Sequence, residues 1–277
     1  MLFRSLIFPV TTSNYRDFRP VLNTVHAVLT GKRLYDQENY DEELLWFSDI
    51  DIRNIPYAGI HRKSVSCRDS GFYSLRHDYG HLMIVLQDFK TRPAQMDQMH
   101  IDLWHKGVNI FCDSGTYSYA TDLGKQLALT DAHNTVKIGE REQMKQHGPF
   151  LIYDWTSAID FEFSEKYFKG TMKSKNGYSH TRVINKDSVG YSIEDHVVVD
   201  FESYKVLFHT PCEIEKNEHS LGFFFNNKLI AKIITEDEIQ ISQCYRSLYY
   251  LKKEKITQIS LTMASKSDSF VRIELVN

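Results

Sequence analysis

Met99-His100-Ile101-Asp102-Leu103-Trp104-His105 is the run in this chain that most plainly reads as a β-strand. Met99, Ile101 and Leu103 fall on one face and His100, Asp102 and Trp104 on the other, the period of two that sends successive side chains to opposite sides of a sheet. One face is expected in the core and the other to be wet or functional. Short runs of similar pattern recur at 72–76, 81–86, 108–112, 135–138, 180–184, 204–209, 221–225, 229–234 and 270–276. They are separated by turn signals such as Asp69-Ser70-Gly71, Lys106-Gly107, Asn176-Gly177 and Asn226-Asn227. So many strands exceed a minimal sandwich and predict an all-β fold, a large multi-layer antiparallel β-sandwich.

Upstream the period changes. Phe18, Val21, Leu22, Val25, Val28 and Leu29 recur at helical spacing, Gly31 is placed as a stop, and Asp41 is placed to cap a second segment carrying Leu44, Leu45, Trp46 and Phe47. The sequence therefore divides into a helical segment over 1–55 and a β domain over 56–277. A helical piece of that size, apolar on one face, can hardly form its own core. It is expected to lie against the sheets or against something supplied by another part of a larger protein.

Bulk composition excludes several classes. With 33 basic and 36 acidic residues and no Lys/Arg block, nothing draws the chain to nucleic acid. The four cysteines, Cys67, Cys112, Cys212 and Cys244, form no CxxC pair and read as buried free thiols. The first ten residues, broken by Arg4 and Pro9, make a poor signal peptide, and no stretch is long enough to span a bilayer. There is no Gly-rich phosphate loop, GxSxG or HExxH. The compartment stays unassigned.

The densest concentration of site-like residues runs from Asp113 to Gln143: Asp-Ser-Gly-Thr-Tyr-Ser-Tyr, then Thr-Asp-Ala-His-Asn-Thr-Val, then Glu-Arg-Glu-Gln. Asp113 closes one apolar run and His133 opens another. If those runs are neighbouring strands, pairing brings a carboxylate to an imidazole, which serves equally as a metal fragment or as an oriented His–Asp hydrogen bond. A buried structural pair is the plain alternative. Tyr117 and Tyr119 could stack on sugar rings or hold a proton, or could simply pack a turn. Asn134 could bind a carboxylate or cap a strand start, and Arg141 and Gln143 could reach an acidic sugar or merely polarise an exposed turn. His180 and Arg182 share a strand face, fit for carboxylate recognition or for a cross-strand salt bridge.

At these residues the sequence resembles the carboxy-terminal β domain of the heparinase II/III-like polysaccharide lyases. That family's pattern runs from His-x-His-x-Asp through an amphipathic strand and a Gly turn to Asp-Ser-Gly-Thr with tyrosines, then Ala-His-Asn-Thr-Val and a Gln. Here the matches are Asp97, the strand from His100 to His105, Gly107, Asp113-Ser114-Gly115-Thr116, Tyr117, Tyr119, Ala132-His133-Asn134-Thr135-Val136 and Gln143, with His180-Thr181-Arg182, Ile193-Glu194-Asp195 and Phe208-His209 following.

The resemblance implies a sandwich of the lyase supersandwich type, with the helical segment as the last part of an α/α toroid. It implies β-elimination on uronic-acid glycans, with an acidic polysaccharide or oligosaccharide as partner. By it, His133 and Tyr119 are the in-chain catalytic candidates and Tyr117, Asn134, Arg141 and Gln143 the substrate-binding ones. It also implies zinc at Asp113 and His133, with Gln95 at the usual third-ligand position. Two departures stand out. Pro93 and Gln95 replace the family's two histidines, and proline shuttles no proton while an amide is a poor zinc ligand. The family's catalytic Asn and Tyr belong to the helical domain, so a separately encoded helical partner, or a non-catalytic carbohydrate-binding or scaffolding role, is the alternative.

Overall fold

The structure is a computed structural model, and it describes residues 11–14, 17–36, 38–60, 62–148, 150–200, 203–264 and 268–276. Residues 1–10, read above as a poor signal peptide, lie outside the described residues. The chain divides into two units, Met1–Arg62 and Lys63–Asn277. Among the described residues no helix is long and apolar enough to cross a membrane.

In the first unit, helix Arg19–Thr30 starts with Pro20 in its first turn and stops at Gly31, whose left-handed φ of 69° lets its amide return to the Ala27 carbonyl. A short helix, Glu42–Phe47, follows. The orientation of the first helix corrects the expectation that its apolar stripe would define its buried face. Pro20, Asn23, Thr24 and Ala27 are buried, while Val21, Leu22, Val25 and Val28 are exposed and Leu29 is 78 % exposed. The reason is polar: the Asn23 side chain donates to Asp41 Oδ1 at 2.8 Å and accepts the Leu34 and Tyr35 amides, and Arg33 pairs with Asp41 at 2.9 Å. Asp41 is used in this network and caps nothing.

Among the described residues, all nineteen strands lie in the second unit. A five-stranded meander runs from Val65–Cys67 to Val108–Phe111. An eight-stranded sheet has Glu213–Lys216 and Ser157–Ser164 as its two outermost strands. A four-stranded sheet includes Val136–Ile138 and Tyr204–Thr210, and Lys145–His147 with Leu151–Tyr153 makes a small hairpin. The inward faces share one apolar core, with Leu75, Ile84, Phe111, Phe168, Phe208, Phe223 and Ile273 at its centre. Burial of side chains of this size contributes about 1.5–3 kcal/mol each, so this core dominates the stability.

The strand Ile101–His105 alternates as its sequence predicts, with Ile101, Leu103 and His105 buried and Trp104 exposed. The alternation does not extend back through Met99. A left-handed φ of 62° at Met99 breaks it, so His100 turns inward and is buried rather than joining Asp102 and Trp104 on the outer face.

Candidate functional site

Asp113 follows strand Val108–Phe111 of the five-stranded sheet, and His133 precedes strand Val136–Ile138 of the four-stranded sheet. They are not neighbouring strands, which corrects the expected route of convergence. The two residues meet across the gap between sheets, where the Cys112 amide bonds the His209 carbonyl and the Leu207 amide bonds the Thr135 carbonyl. His133 Nδ1 lies 2.8 Å from Asp113 Oδ2, and the Gly115 amide donates to Asp113 Oδ1 at 2.6 Å. Gly115 has φ 72° and sits so close to Ser247 that a Cβ would meet its carbonyl oxygen at 2.2 Å, so this turn admits no side chain there.

The Asp113 side chain is 34 % exposed, whereas His133 is fully buried. Desolvation pushes the Asp113 carboxyl up, but the His133 charge and hydrogen bond, His100 and the Gly115 amide outweigh it and hold the carboxyl below the usual range. Burial lowers His133, and Asp113 with Asp97 more than restores it, leaving its pKa raised.

His100 completes this cluster, with its Nε2 3.9 Å from Asp113 Oδ2. Its Nδ1 accepts the Asn134 amide at 3.0 Å. Burial drives the His100 pKa down to about 3, so the ring is neutral. Gln95, at the position the resemblance gives to a metal ligand, donates instead to the Gly115 carbonyl at 3.3 Å.

Asn134 and Gln143, expected at the glycan, are fully buried, and every polar atom of their amides is used inside the protein. Asn134 Nδ2 donates to the Ile101 and Cys112 carbonyls, and its Oδ1 accepts from His209 N at 2.6 Å and Nδ1 at 2.9 Å. Gln143 clasps the Gln98 backbone, accepting its amide at 2.9 Å and donating to its carbonyl at 2.8 Å. Both residues build the site without facing it. Arg141 is half-buried and donates to the Asn176 carbonyl at 3.1 Å. Tyr117 is half-buried with φ 57°, its carbonyl tied to the Leu251 amide.

Beneath the cluster lies a buried ionic unit. Arg182 and His180 both meet Asp195, at 2.6 Å each, and all three are fully buried. Of the two readings for this strand face, the structure realises the salt bridge. Arg182 also donates to the Met99 and Asn134 carbonyls. One guanidinium therefore fixes the left-handed turn that aims His100 and the segment that carries His133.

The accessible ground lies beside Gln95. Arg92, Ala94, Gln95, Thr116, Ser118, Tyr119, Gly124, Lys125, Ala128, Gln146 and Phe150 line a cleft of about 180 Å³. Tyr119 and Phe150 are 57 % and 50 % exposed, with ring centroids 5.4 Å apart, and the Arg92 guanidinium lies over the Phe150 ring. Among the described residues the cleft wall contains two cations and no carboxylate, although Lys125 pairs with the exposed Asp122 at 3.0 Å. Met96, Met144 and Ile152, packed with Phe89, Leu129 and Trp155, form a separate small apolar cluster.

Of the two catalytic candidates, Tyr119 lines this cleft, whereas His133 is fully buried and does not line it. Sequence reasoning missed Arg92, Lys125, Phe150 and the inward His100. Arg92 immediately precedes the Pro93 departure, a proximity that could have flagged it. Lys125 and Phe150 carry no local signal.

Comparison with known proteins comes to the same fold. The family model for the heparinase II/III-like carboxy-terminal domain matches residues 60–269. Among solved structures, one titled heparinase III, BT4657 gene product, superposes with a TM-score of 0.69 at 16 % identity, covering 93 % of this chain and 41 % of that one. Heparan sulfate lyase HepC from Pedobacter heparinus gives 0.68 at 15 % identity, covering 94 % and 42 %. At these identities the likeness is one of fold, and the chain spans about two fifths of the length of those structures. No curated protein sequence matches.

Proposed function

The chain belongs to the heparinase II/III-like family, and on that premise we propose that its β-sandwich binds a uronic-acid-containing glycan in the Arg92–Lys125 cleft. The observation that carries this reading is the cleft's chemistry: two cations, two half-exposed aromatic rings and neutral hydrogen-bonding groups, with no carboxylate among the described lining residues. Arginine suits carboxylate and sulfate through its paired donors, and aromatic rings suit the apolar faces of sugars.

β-Elimination at a uronate requires neutralisation of the carboxylate, a base for the C5 proton and an acid for the leaving C4 oxygen. Arg92 and Lys125 would supply the first requirement, and the exposed Tyr119 phenol is the in-chain group able to hold a proton beside the sugar. The buried His133 would orient Asp113 and the turn behind the cleft. Turnover by this reading draws its remaining groups from a helical domain. The burial of His133 and the proline at 93 favour the second reading, a glycan-binding module without turnover.

Titrating the protein with heparan-type and neutral oligosaccharides, while following the ultraviolet absorbance of unsaturated ends, separates the readings. Saturable binding of the acidic series alone is expected, with Arg92→Ala weakening it about tenfold, roughly 1.4 kcal/mol. Binding accompanied by new absorbance, from the chain alone or with a family helical domain supplied in trans, assigns the lyase reading, and binding without it in both mixtures assigns the module. Equal affinity for neutral and acidic sugars would remove the basis of both.

A further inference from the structure

The hydrogens around Asp113 conflict with the metal that the family resemblance implies. Zinc requires a lone pair from each ligand nitrogen, and a histidine bound through Nε2 normally carries its proton on Nδ1 and gives it to an acceptor. At His100 that arrangement is blocked. Its Nδ1 accepts the Asn134 backbone amide at 3.0 Å, so the ring carries its proton on Nε2. Asn134 cannot turn away, because its side chain is held by the Ile101 and Cys112 carbonyls and by His209, and its carbonyl by Arg182. Gln95 is an amide engaged with the Gly115 carbonyl. His133 alone has the required arrangement, since its Nδ1 bonds Asp113 at 2.8 Å and its buried Nε2 has no hydrogen-bond partner among the described residues, so one nitrogen and the carboxylate already bonded to its ring are all that remain for a cation.

We propose that His100 takes the place of the metal ion, and that the His100–Asp113–His133 cluster is a zinc-free unit. The His100 Nε2 lies 3.9 Å from Asp113 Oδ2, too far for a direct hydrogen bond, and among the described residues this buried nitrogen has no hydrogen-bond partner. It presents positive potential to the carboxylate from the side on which a cation would stand. With His133 Nδ1 and the Gly115 amide on the same carboxylate, Asp113 is surrounded by donors on three sides. A cation entering would have to displace a proton from His100 and set two N–H groups facing each other in a buried pocket, a desolvated clash with no compensating partner.

The test uses the intact wild-type chain. It is dialysed against zinc, then against metal-free buffer, and bound metal is measured by mass spectrometry. In parallel, 15N-labelled histidine spectra read the ring tautomers, with the His100 signal assigned by its loss in His100→Asn. The expected result is substoichiometric zinc, a melting temperature unchanged by chelator, and a His100 ring protonated on Nε2 with Nδ1 as acceptor. One zinc per chain, or a His100 ring protonated on Nδ1, overturns the proposal. The variant Gln95→His combined with His100→Ser is expected to gain one zinc per chain and a zinc-dependent rise in melting temperature. If that variant is folded by circular dichroism and stays zinc-free, His100 is not what closes the site.

Discussion

Arg182 is the residue on which most of the local geometry converges, since its guanidinium satisfies a buried carboxylate and two carbonyls of the turn and loop behind the cleft. Removing one partner of a buried ion pair leaves an uncompensated charge, typically a loss of 3–5 kcal/mol. Arg182→Met is therefore expected to lower the urea unfolding free energy by about that amount, with the double variant Arg182→Met/Asp195→Leu recovering part of it. A loss below about 1 kcal/mol in the single variant would contradict this assignment. His209 gives a second residue-scale prediction. Burial lowers its pKa to about 4 from an ordinary 6.5, so between those values the unfolded chain binds the extra proton and acid favours unfolding. The stability advantage of wild type over His209→Gln should shrink as pH falls from 6.5 to 4, by up to about 1.4 kcal/mol per pH unit. The comparison with a variant matters, because Asp102, raised by burial to about 6, contributes the opposite slope below that pH. A difference that stays constant across the window would refute the shift.

At the scale of elements, the short helix Asp122–Gln126 shows how the cleft wall is set. Thr121 caps it by accepting the Gly124 amide at 3.2 Å, and Gly124 packs so closely on the tyrosine loop that a Cβ would meet the Ser118 carbonyl at 1.6 Å. Gly124→Ala is expected to push Tyr119 and Lys125 apart, costing about 1–3 kcal/mol in thermal denaturation and weakening acidic-glycan binding. Unchanged stability would show that the loop yields freely. Elements of this chain were legible where a single period decided them: the alternation at Ile101, Leu103 and Trp104, and the stop at Gly31. The resemblance carried by Asp113-Ser114-Gly115-Thr116 and Ala132-His133-Asn134-Thr135-Val136 led to the sandwich and to the Asp113–His133 meeting. What stayed hidden was set by backbone and long-range partners. Positive φ at Met99 inverted His100, an Asn23–Asp41 network turned the apolar stripe of the first helix outward, and Phe150 reached Tyr119 only through tertiary packing. Asn134 and Gln143 look in sequence like ligand-binding amides. Burial distinguishes an amide that binds a ligand from one that holds a backbone, and burial is not a local property.

Across the whole molecule the apolar cores are segregated. Among the described residues the large core draws on Tyr73 to Leu275, and a separate small one holds Ala27, Leu44 and Ile55. A chain trimmed to 63–277 is expected to unfold in one cooperative transition and to keep its affinity for acidic oligosaccharides. Broad, non-cooperative melting of the trimmed chain would show instead that the first unit is needed for the sandwich to hold. In the first unit Val25, Leu29, Trp46 and Phe47 are exposed. The eight-stranded sheet has its own solution to open borders. Its outermost strands carry Asp160 and Glu162 at one border and Glu213 and Glu215 at the other, with Lys169 across from the first pair. A second molecule adding itself strand to strand would have to strip water from ionised carboxylates while gaining few new counter-charges. The sheet can thus be wide and unclosed without acting as a template for endless ribbons of its own kind.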